Sequence, residues 1–271
     1  MLKDSRTLRR LLALAISVNL FALFAGGLYL YKTRFYIFNW LGQIAGTAFQ
    51  KARSPVIPLG FYGLKVNEFN ALQEHPLGKK AVIFAGDSIV EEFEWQEHFD
   101  LPSDTVILKR AISGETLERF IKRLEVTFSP KFDIQRAFIM IGINDIRKAK
   151  FQMDVFTQKY QELLDKLLVL VPPDRVCLHA IFPIRHAYIS NATIQQANTY
   201  IKSYAMDRNL CYIDLFNKLV DRTGLLDANY TYDGIHLSFQ GYQIWLEAIR
   251  PYIAESTHYS KRNGEIAPNI P

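Results

Sequence analysis

From Ala81 onward, short unbroken apolar runs alternate with longer stretches whose apolar positions recur every three or four residues. The runs are AVIFAG (81–86), TVILKRAI (105–112), RAFIMIGI (136–143), RVCLHAIFP (175–183) and LCYIDLF (210–216). Continuous rather than alternating hydrophobicity predicts parallel strands covered on both faces. Between the runs, helical stripes are expected over Glu115–Phe128 (Leu117, Phe120, Ile121, Leu124), Met153–Leu170 (Tyr160, Leu163, Leu164, Leu167, Leu168), Ala192–Arg208 (Ile194, Ala197, Ile201, Tyr204) and Ser238–Ile249. Pro172-Pro173 stops the second of them. Strand and helix in repetition predict an α/β fold: a doubly wound, parallel five-stranded sheet in a flavodoxin-like three-layer sandwich. In such sheets function collects at the carboxyl ends of the strands.

The residues before Ala81 have a different texture. Leu11–Tyr31 is 21 residues without a charge, about 31 Å as a helix and long enough for a bilayer. Its length, and its continuation into Tyr29, Leu30 and Tyr31, favour an uncleaved transmembrane anchor over a signal peptide. Residues 1–35 are therefore expected to be a cytoplasmic tip and anchor, with the chain beyond them outside the cytoplasm by the positive-inside rule. Residues 36–80, punctuated by Gly and Pro, read as a juxtamembrane stalk with a short helix near Val66–Leu72. The α/β domain is expected over 81–255, and 256–271 is a polar tail.

Charge adds one exclusion. The net charge of +5 lies wholly in the first 34 residues, which hold six Lys and Arg against Asp4 alone, and leaves 26 residues of each sign in the remainder. Basicity confined to the flanks of an apolar segment removes the main support for a nucleic-acid partner. Cys177 and Cys211 are the only cysteines. They fall on neighbouring expected strands, where two separate buried thiols are the favoured reading and a disulfide stays open.

The strand ends read Gly86-Asp87-Ser88, Ile112-Ser113-Gly114, Gly142-Ile143-Asn144-Asp145 and, in the last loop, Asp233-Gly234-Ile235-His236. Each offers a component of acyl transfer. Ser88 follows the first strand as a candidate nucleophile, His236 is a candidate base, and Asp233 is close enough in sequence to orient the imidazole. The backbone N–H groups of Ser88 and Gly114 and the amide of Asn144 are candidate oxyanion donors. Asp87, Arg185 and His186 are expected near the substrate.

This constellation resembles the SGNH hydrolases, also called the GDSL esterase/lipase family, over about residues 81–253. The ending Tyr230-Thr-Tyr-Asp-Gly-Ile-His-Leu-Ser, with Gly241-Tyr242 and Trp245, is similar to the branch of acetyl-ester hydrolases, lysophospholipase-like proteins and platelet-activating-factor acetylhydrolase relatives. Lys109-Arg110-Ala111 stands where relatives often carry Asn-Arg-Gly. The resemblance implies a serine esterase with Ser88, Asp233 and His236 as triad and Ser88, Gly114 and Asn144 as oxyanion hole. It implies a small acyl ester of a carbohydrate or lipid as substrate, and no cofactor. A lysophospholipase, an O-acyltransferase using the same triad and a silent binding scaffold are the alternatives. The Gly-x-Ser-x-Gly elbow of the α/β-hydrolases is absent, with Val at position 90. No metal is expected, because His75, His98, His179, His186 and His258 are scattered without ligand spacing.

Overall fold

The computed structural model describes residues 60–74, 78–187 and 189–258, the last four without their side chains. Five parallel strands, β1 (Lys80–Gly86), β2 (Thr105–Ala111), β3 (Asp133–Met140), β4 (Val176–His179) and β5 (Cys211–Ile213), lie in the order β2-β1-β3-β4-β5. This is the expected sheet. Right-handed crossovers on an order that reverses at β1 place helices on both faces. The register pairs Gly86 with Ala111 on one side and with Met140 on the other. The loops that follow β1, β2 and β3 therefore leave the sheet from one rim, beside the reversal point.

In chain order the helices are α1 (Phe61–Gln73), α2 (Ser88–Glu91), α3 (Leu117–Lys122), α4 (Leu124–Thr127), α5 (Ile143–Ile146), α6 (Met153–Leu170), α7 (Asn191–Asp207), α8 (Phe216–Leu219) and α9 (Phe239–His258). Ala81–Ala85 of β1 are all buried, and Phe84 stacks between Trp95 and Phe138 at 4.2 and 4.8 Å. Trp245 of α9 extends this cluster, with Trp95 and Phe182 each 4.7 Å away in edge geometry. Such pairs add about 0.5–1.5 kcal/mol each beyond the burial of their area.

Three sequence expectations change. The stripe at 115–128 is two helices, because Arg123 leaves helical geometry and turns its guanidinium inward onto Glu115, Thr127 and the Arg110 carbonyl. The apolar run at 175–183 is a strand only as far as His179. Beyond it, the Asn198 side chain takes over the ladder's role, accepting from Ile181 N at 2.7 Å and donating to Ile181 O at 2.8 Å. Asn191 does the same for Ile184, at 2.9 Å in both directions. Finally, Cys177 and Cys211 are not separate thiols. Direct register pairing brings their Cα atoms to 4.4 Å and the two form a disulfide.

Part of the expected stalk is ordered as α1. Tyr62 donates to the Arg119 carbonyl at 3.0 Å, and Phe69 is buried beneath the guanidinium groups of Arg110 and Arg123, 5.0 and 5.5 Å from its ring centre.

The localisation expectation is corrected. Among the described residues no helix is long and apolar enough to cross a membrane. The two longest, α6 and α9, face the core with one side and carry charges on the other, among them Lys159, Glu162, Asp165 and Lys166 on α6. The stretch 11–31, on which a single-pass anchor and an extracytoplasmic domain were expected, lies outside the described residues.

Candidate active site

The rim of the sheet is built around a sharp turn after β1. Gly86 must be glycine: a Cβ there would sit 2.0 Å from the Met140 carbonyl oxygen of the neighbouring strand. Asp87, in extended geometry, caps α2 by accepting from Ile89 N at 3.1 Å. Ser88 opens the helix. The helix is clamped from two sides, with Tyr242 Oη donating to Ile89 O at 2.7 Å and Trp95 Nε1 donating to Val90 O at 2.9 Å. Ser88 is 8% exposed, and its backbone N–H has no hydrogen-bond partner among the described residues.

His236 Nε2 lies 2.9 Å from Ser88 Oγ, and His236 Nδ1 lies 2.7 Å from Asp233 Oδ2. The carboxylate accepts, so Nδ1 carries the proton and Nε2 presents its lone pair to the serine hydroxyl. Asp233 is itself held, since Oδ1 accepts from Ile235 N at 2.9 Å and His236 N at 2.8 Å. Burial pushes its carboxyl up, but the bonds from the His236 ring and from these two amides outweigh that and hold it at about 2. The loop closes on Thr231, whose Oγ1 donates to His236 O at 2.6 Å and accepts from Gly234 N at 2.9 Å. Gly234, at φ +91°, lets the chain pass against Arg185, whose amide donates to Gly234 O at 2.7 Å.

Gly114 and Asn144 stand on the two neighbouring rim loops. Gly114 has φ +72° and an N–H without a partner among the described residues. Asn144 Nδ2 donates one hydrogen to Glu115 O at 3.0 Å, and an amide carries a second. Asp145 ties the same loops together, as its Oδ2 accepts from Leu117 N at 2.9 Å. Below them Glu115 and Arg123, both buried, form a two-pronged ion pair.

Direct hydrogen bonds thus join Ser88, His236 and Asp233, while Gly114 and Asn144 meet through Glu115. The other expected residues are placed differently. Asp87 is wholly buried behind the turn, with Oδ2 unpartnered and its carboxyl raised to about 7, by burial first and by Glu115 and Asp145 after it. The Arg185 guanidinium bonds to the Leu226 carbonyl at 2.8 Å and to the Asp221 carboxylate. His186 is partly exposed beside it.

Two residues went unread in the sequence. Glu91 Oε2 accepts from both N and Oγ of Ser113 at 2.6 Å, and Glu92 Oε1 lies 3.5 Å from His236 Nε2. Their positions three and four after Ser88, one turn along a helix, were the available signal. Among the described residues, no group of three or more His, Cys, Asp and Glu side chains is placed to hold a metal ion. Two concavities of about 240 and 320 Å³ lie elsewhere, around Lys80 and Phe132 and around Asn198 and Phe216, and the serine borders neither.

A hydroxyl, an imidazole and a carboxylate in one hydrogen-bonded line, at the rim of a doubly wound sheet, form an arrangement suited to acyl transfer. The chain belongs to the GDSL-like lipase/acylhydrolase family, whose model matches residues 84–244. This agrees with the resemblance to the SGNH hydrolases. Comparison with curated protein sequences gives no match. Among solved structures, the chain is similar to one from Streptococcus pneumonia whose name refers to platelet activating factor, at TM-score 0.65 and 23% identity over 79% of this chain and 99% of that one. A GDSL-like lipase from Bacteroides thetaiotaomicron superposes at TM-score 0.60 and 22% identity, over 72% and 98% of the two chains. An acetylxylan esterase from Geobacillus stearothermophilus does so at 0.51 and 23%, over 65% and 94%. At these identities the likeness is one of fold.

Proposed function

We propose that the protein is a serine esterase that releases a small acyl group, acetyl foremost, from a carbohydrate ester through an acyl-Ser88 intermediate. The observation that carries this reading is the line Ser88 Oγ–His236 Nε2–His236 Nδ1–Asp233 Oδ2, at 2.9 and 2.7 Å. As Ser88 Oγ bonds to the acyl carbon, its proton passes to His236 Nε2, and Asp233 stabilises the imidazolium without taking the proton. The carbonyl oxygen becomes an oxyanion facing the N–H groups of Ser88 and Gly114 and the free hydrogen of Asn144. In a protease of known kinetics, one such donor contributes about 2.7–4 kcal/mol. His236 returns the proton to the departing alcohol, then removes one from the water that attacks the acyl-serine, and gives it to Ser88 Oγ as the bond to the acyl carbon breaks and the acid leaves. No step calls for a cofactor.

The small-acyl, carbohydrate part of the proposal is supported by the similarity to acetylxylan esterases. Catalytic mutants of the Geobacillus stearothermophilus enzyme alter an aspartate and a serine, the residue types assigned here to Asp233 and Ser88. The test compares initial rates of the full chain on p-nitrophenyl acetate, butyrate, octanoate and palmitate, with acetate release from acetylated xylan alongside and Ser88→Ala as blank. Acetate esters are expected to turn over fastest and the variant to fall to background. Substantial turnover by Ser88→Ala overturns the mechanism, and a preference for octanoate or palmitate overturns the substrate class.

A further inference from the structure

We propose that Glu91 is a positioning residue that locks the oxyanion-binding loop to the helix carrying the nucleophile, with Lys65 of α1 as its counter-charge. The inference rests on the esterase reading above and adds to it the means by which Ser88 and Gly114 are kept in register.

Ser88 and Glu91 are the first and last residues of α2, one helical turn apart. The Glu91 side chain is 14% exposed, and a single oxygen, Oε2, accepts from both the amide and the hydroxyl of Ser113 at 2.6 Å. Hydrogen bonds to an ionised acceptor are the strong ones. Two of them on one residue fix both its backbone and its rotamer. Ser113 leads into the peptide whose N–H belongs to Gly114, and the far side of that peptide is closed by Glu115 N donating to Ile112 O at 3.2 Å. The Gly114 N–H is therefore aimed by a carboxylate on the nucleophile's own helix. Without Glu91, the loops after β1 and β2 are joined here by the strand-end bond from Ile112 N to Gly86 O at 3.1 Å, and the turn from Ile112 to Glu115 keeps its own closing bond while the amide and hydroxyl of Ser113 lose their acceptor.

A carboxylate beside an oxyanion site opposes the charge that develops there, so it must be neutralised. Ser113 supplies two donors, and Lys65 Nζ, which also pairs with Glu68 Oε2 at 3.2 Å, stands 3.9 Å from Oε1. Lys65 precedes the family-matched residues 84–244, which makes α1 part of the support of the site.

The test measures kcat and KM of full-length wild type, Glu91→Ala, Glu91→Gln, Lys65→Met and Ser113→Ala on an acetate ester and on its thionoester. Sulfur is a weak hydrogen-bond acceptor, so the thionoester draws little on oxyanion donors. Glu91→Ala is expected to lower kcat on the ester about 10- to 100-fold, below the 10²–10³-fold cost of deleting a donor, with KM within about threefold. The thionoester rate falls much less, so the ester-to-thionoester ratio drops with kcat. Glu91→Gln, which keeps an acceptor oxygen, recovers most of the loss. Lys65→Met and Ser113→Ala, which leave the backbone bond of Ser113 intact, lower the ratio about two- to tenfold and keep the test open should Glu91→Ala fold poorly. Equal losses on ester and thionoester, or wild-type ratios in the variants, overturn the positioning role while the esterase reading stands. A wild-type chain inert towards both esters overturns that reading, and this inference with it.

Discussion

Asp87→Asn isolates the energetic cost of a buried carboxyl beside Ser88, the proposed nucleophile. Asp87 is 1% exposed, has one oxygen on Ile89 N and leaves the other without a partner. Burial, followed by the charges of Glu115 and Asp145, lifts its carboxyl from 3.8 to about 7, against the opposing pull of the Ile89 amide and of His236. Below pH 3.8 the folded and unfolded chains both hold the proton. Between 3.8 and about 7 only the folded chain holds it, and stability falls as pH rises. By linkage, the whole move corresponds to about 4 kcal/mol, or roughly 1.4 kcal/mol per pH unit across the window. Asparagine keeps the oxygen that caps α2 and never ionises. Its Nδ2 replaces the orphaned oxygen and costs about 1–3 kcal/mol at every pH, because a buried donor is left unpaired. Urea unfolding of both proteins at pH 4, 5, 6, 7 and 8, at one ionic strength, gives the difference between their stability curves. That difference should rise towards the variant by about 4 kcal/mol between pH 4 and 8, most of it below pH 7. A difference flat within about 0.5 kcal/mol would refute the reasoning, because the folded carboxyl would then ionise as easily as the unfolded one.

Arg123→Met strands the buried Glu115 carboxylate and is expected to cost about 3–5 kcal/mol in urea unfolding at pH 8, and progressively less as pH falls, because burial raises the Glu115 carboxyl above its ordinary value and favours its neutral form. Gly234→Ala puts a Cβ 2.3 Å from the Arg185 carbonyl oxygen at φ +91°; stability should fall by more than about 1 kcal/mol and kcat should fall with it, and an active, stable variant would show that the loop does not need its tight approach to Arg185. Asp233 sits at about 2 in the folded chain, below its unfolded value. Its contribution to stability is therefore present above pH 4 and lost as pH falls towards 2. Asp233→Asn should flatten the acid limb of the unfolding curve and, by analogy with the same change in a serine protease, lower kcat by about 10⁴.

Sequence patterns served best where one element carries its own signal. The strands were legible because a parallel strand buried on both faces is a continuous apolar run, and 81–86 and 105–112 match β1 and β2 to within a residue. The site was legible in part because the fold collects strand ends at one rim, so Ser88, Gly114, Asn144 and the Asp233–His236 loop could be sought there. Where a side chain replaces backbone, that reading fails. The run at 175–183 ends as a strand at His179 because Asn198 and Asn191, each on or opening α7, satisfy the amides that a longer β5 would otherwise have paired.

The spacing of Glu91 from Ser88 marks a place near the site, but the partners of Arg123 and Glu91 were illegible for a related reason. Each is a charged residue in a locally amphipathic stretch, and such residues usually face water. Only tertiary register decides otherwise. The pairing of Gly86 with Ala111 carries Ser113 to within 2.6 Å of Glu91, and the packing of α1 brings Lys65 alongside. Four residues of spacing would announce a salt bridge along one helix. Here Glu91 and Ser113 are 22 residues apart on different elements, and the bond between them exists only once the parallel sheet has formed. The line from Ser88 to Asp233 has the same character, spanning 148 residues at the step from Ser88 to His236. Motif and register therefore carry different information about the rim. The motif names the groups proposed to do chemistry, and the register selects the groups that stand against them.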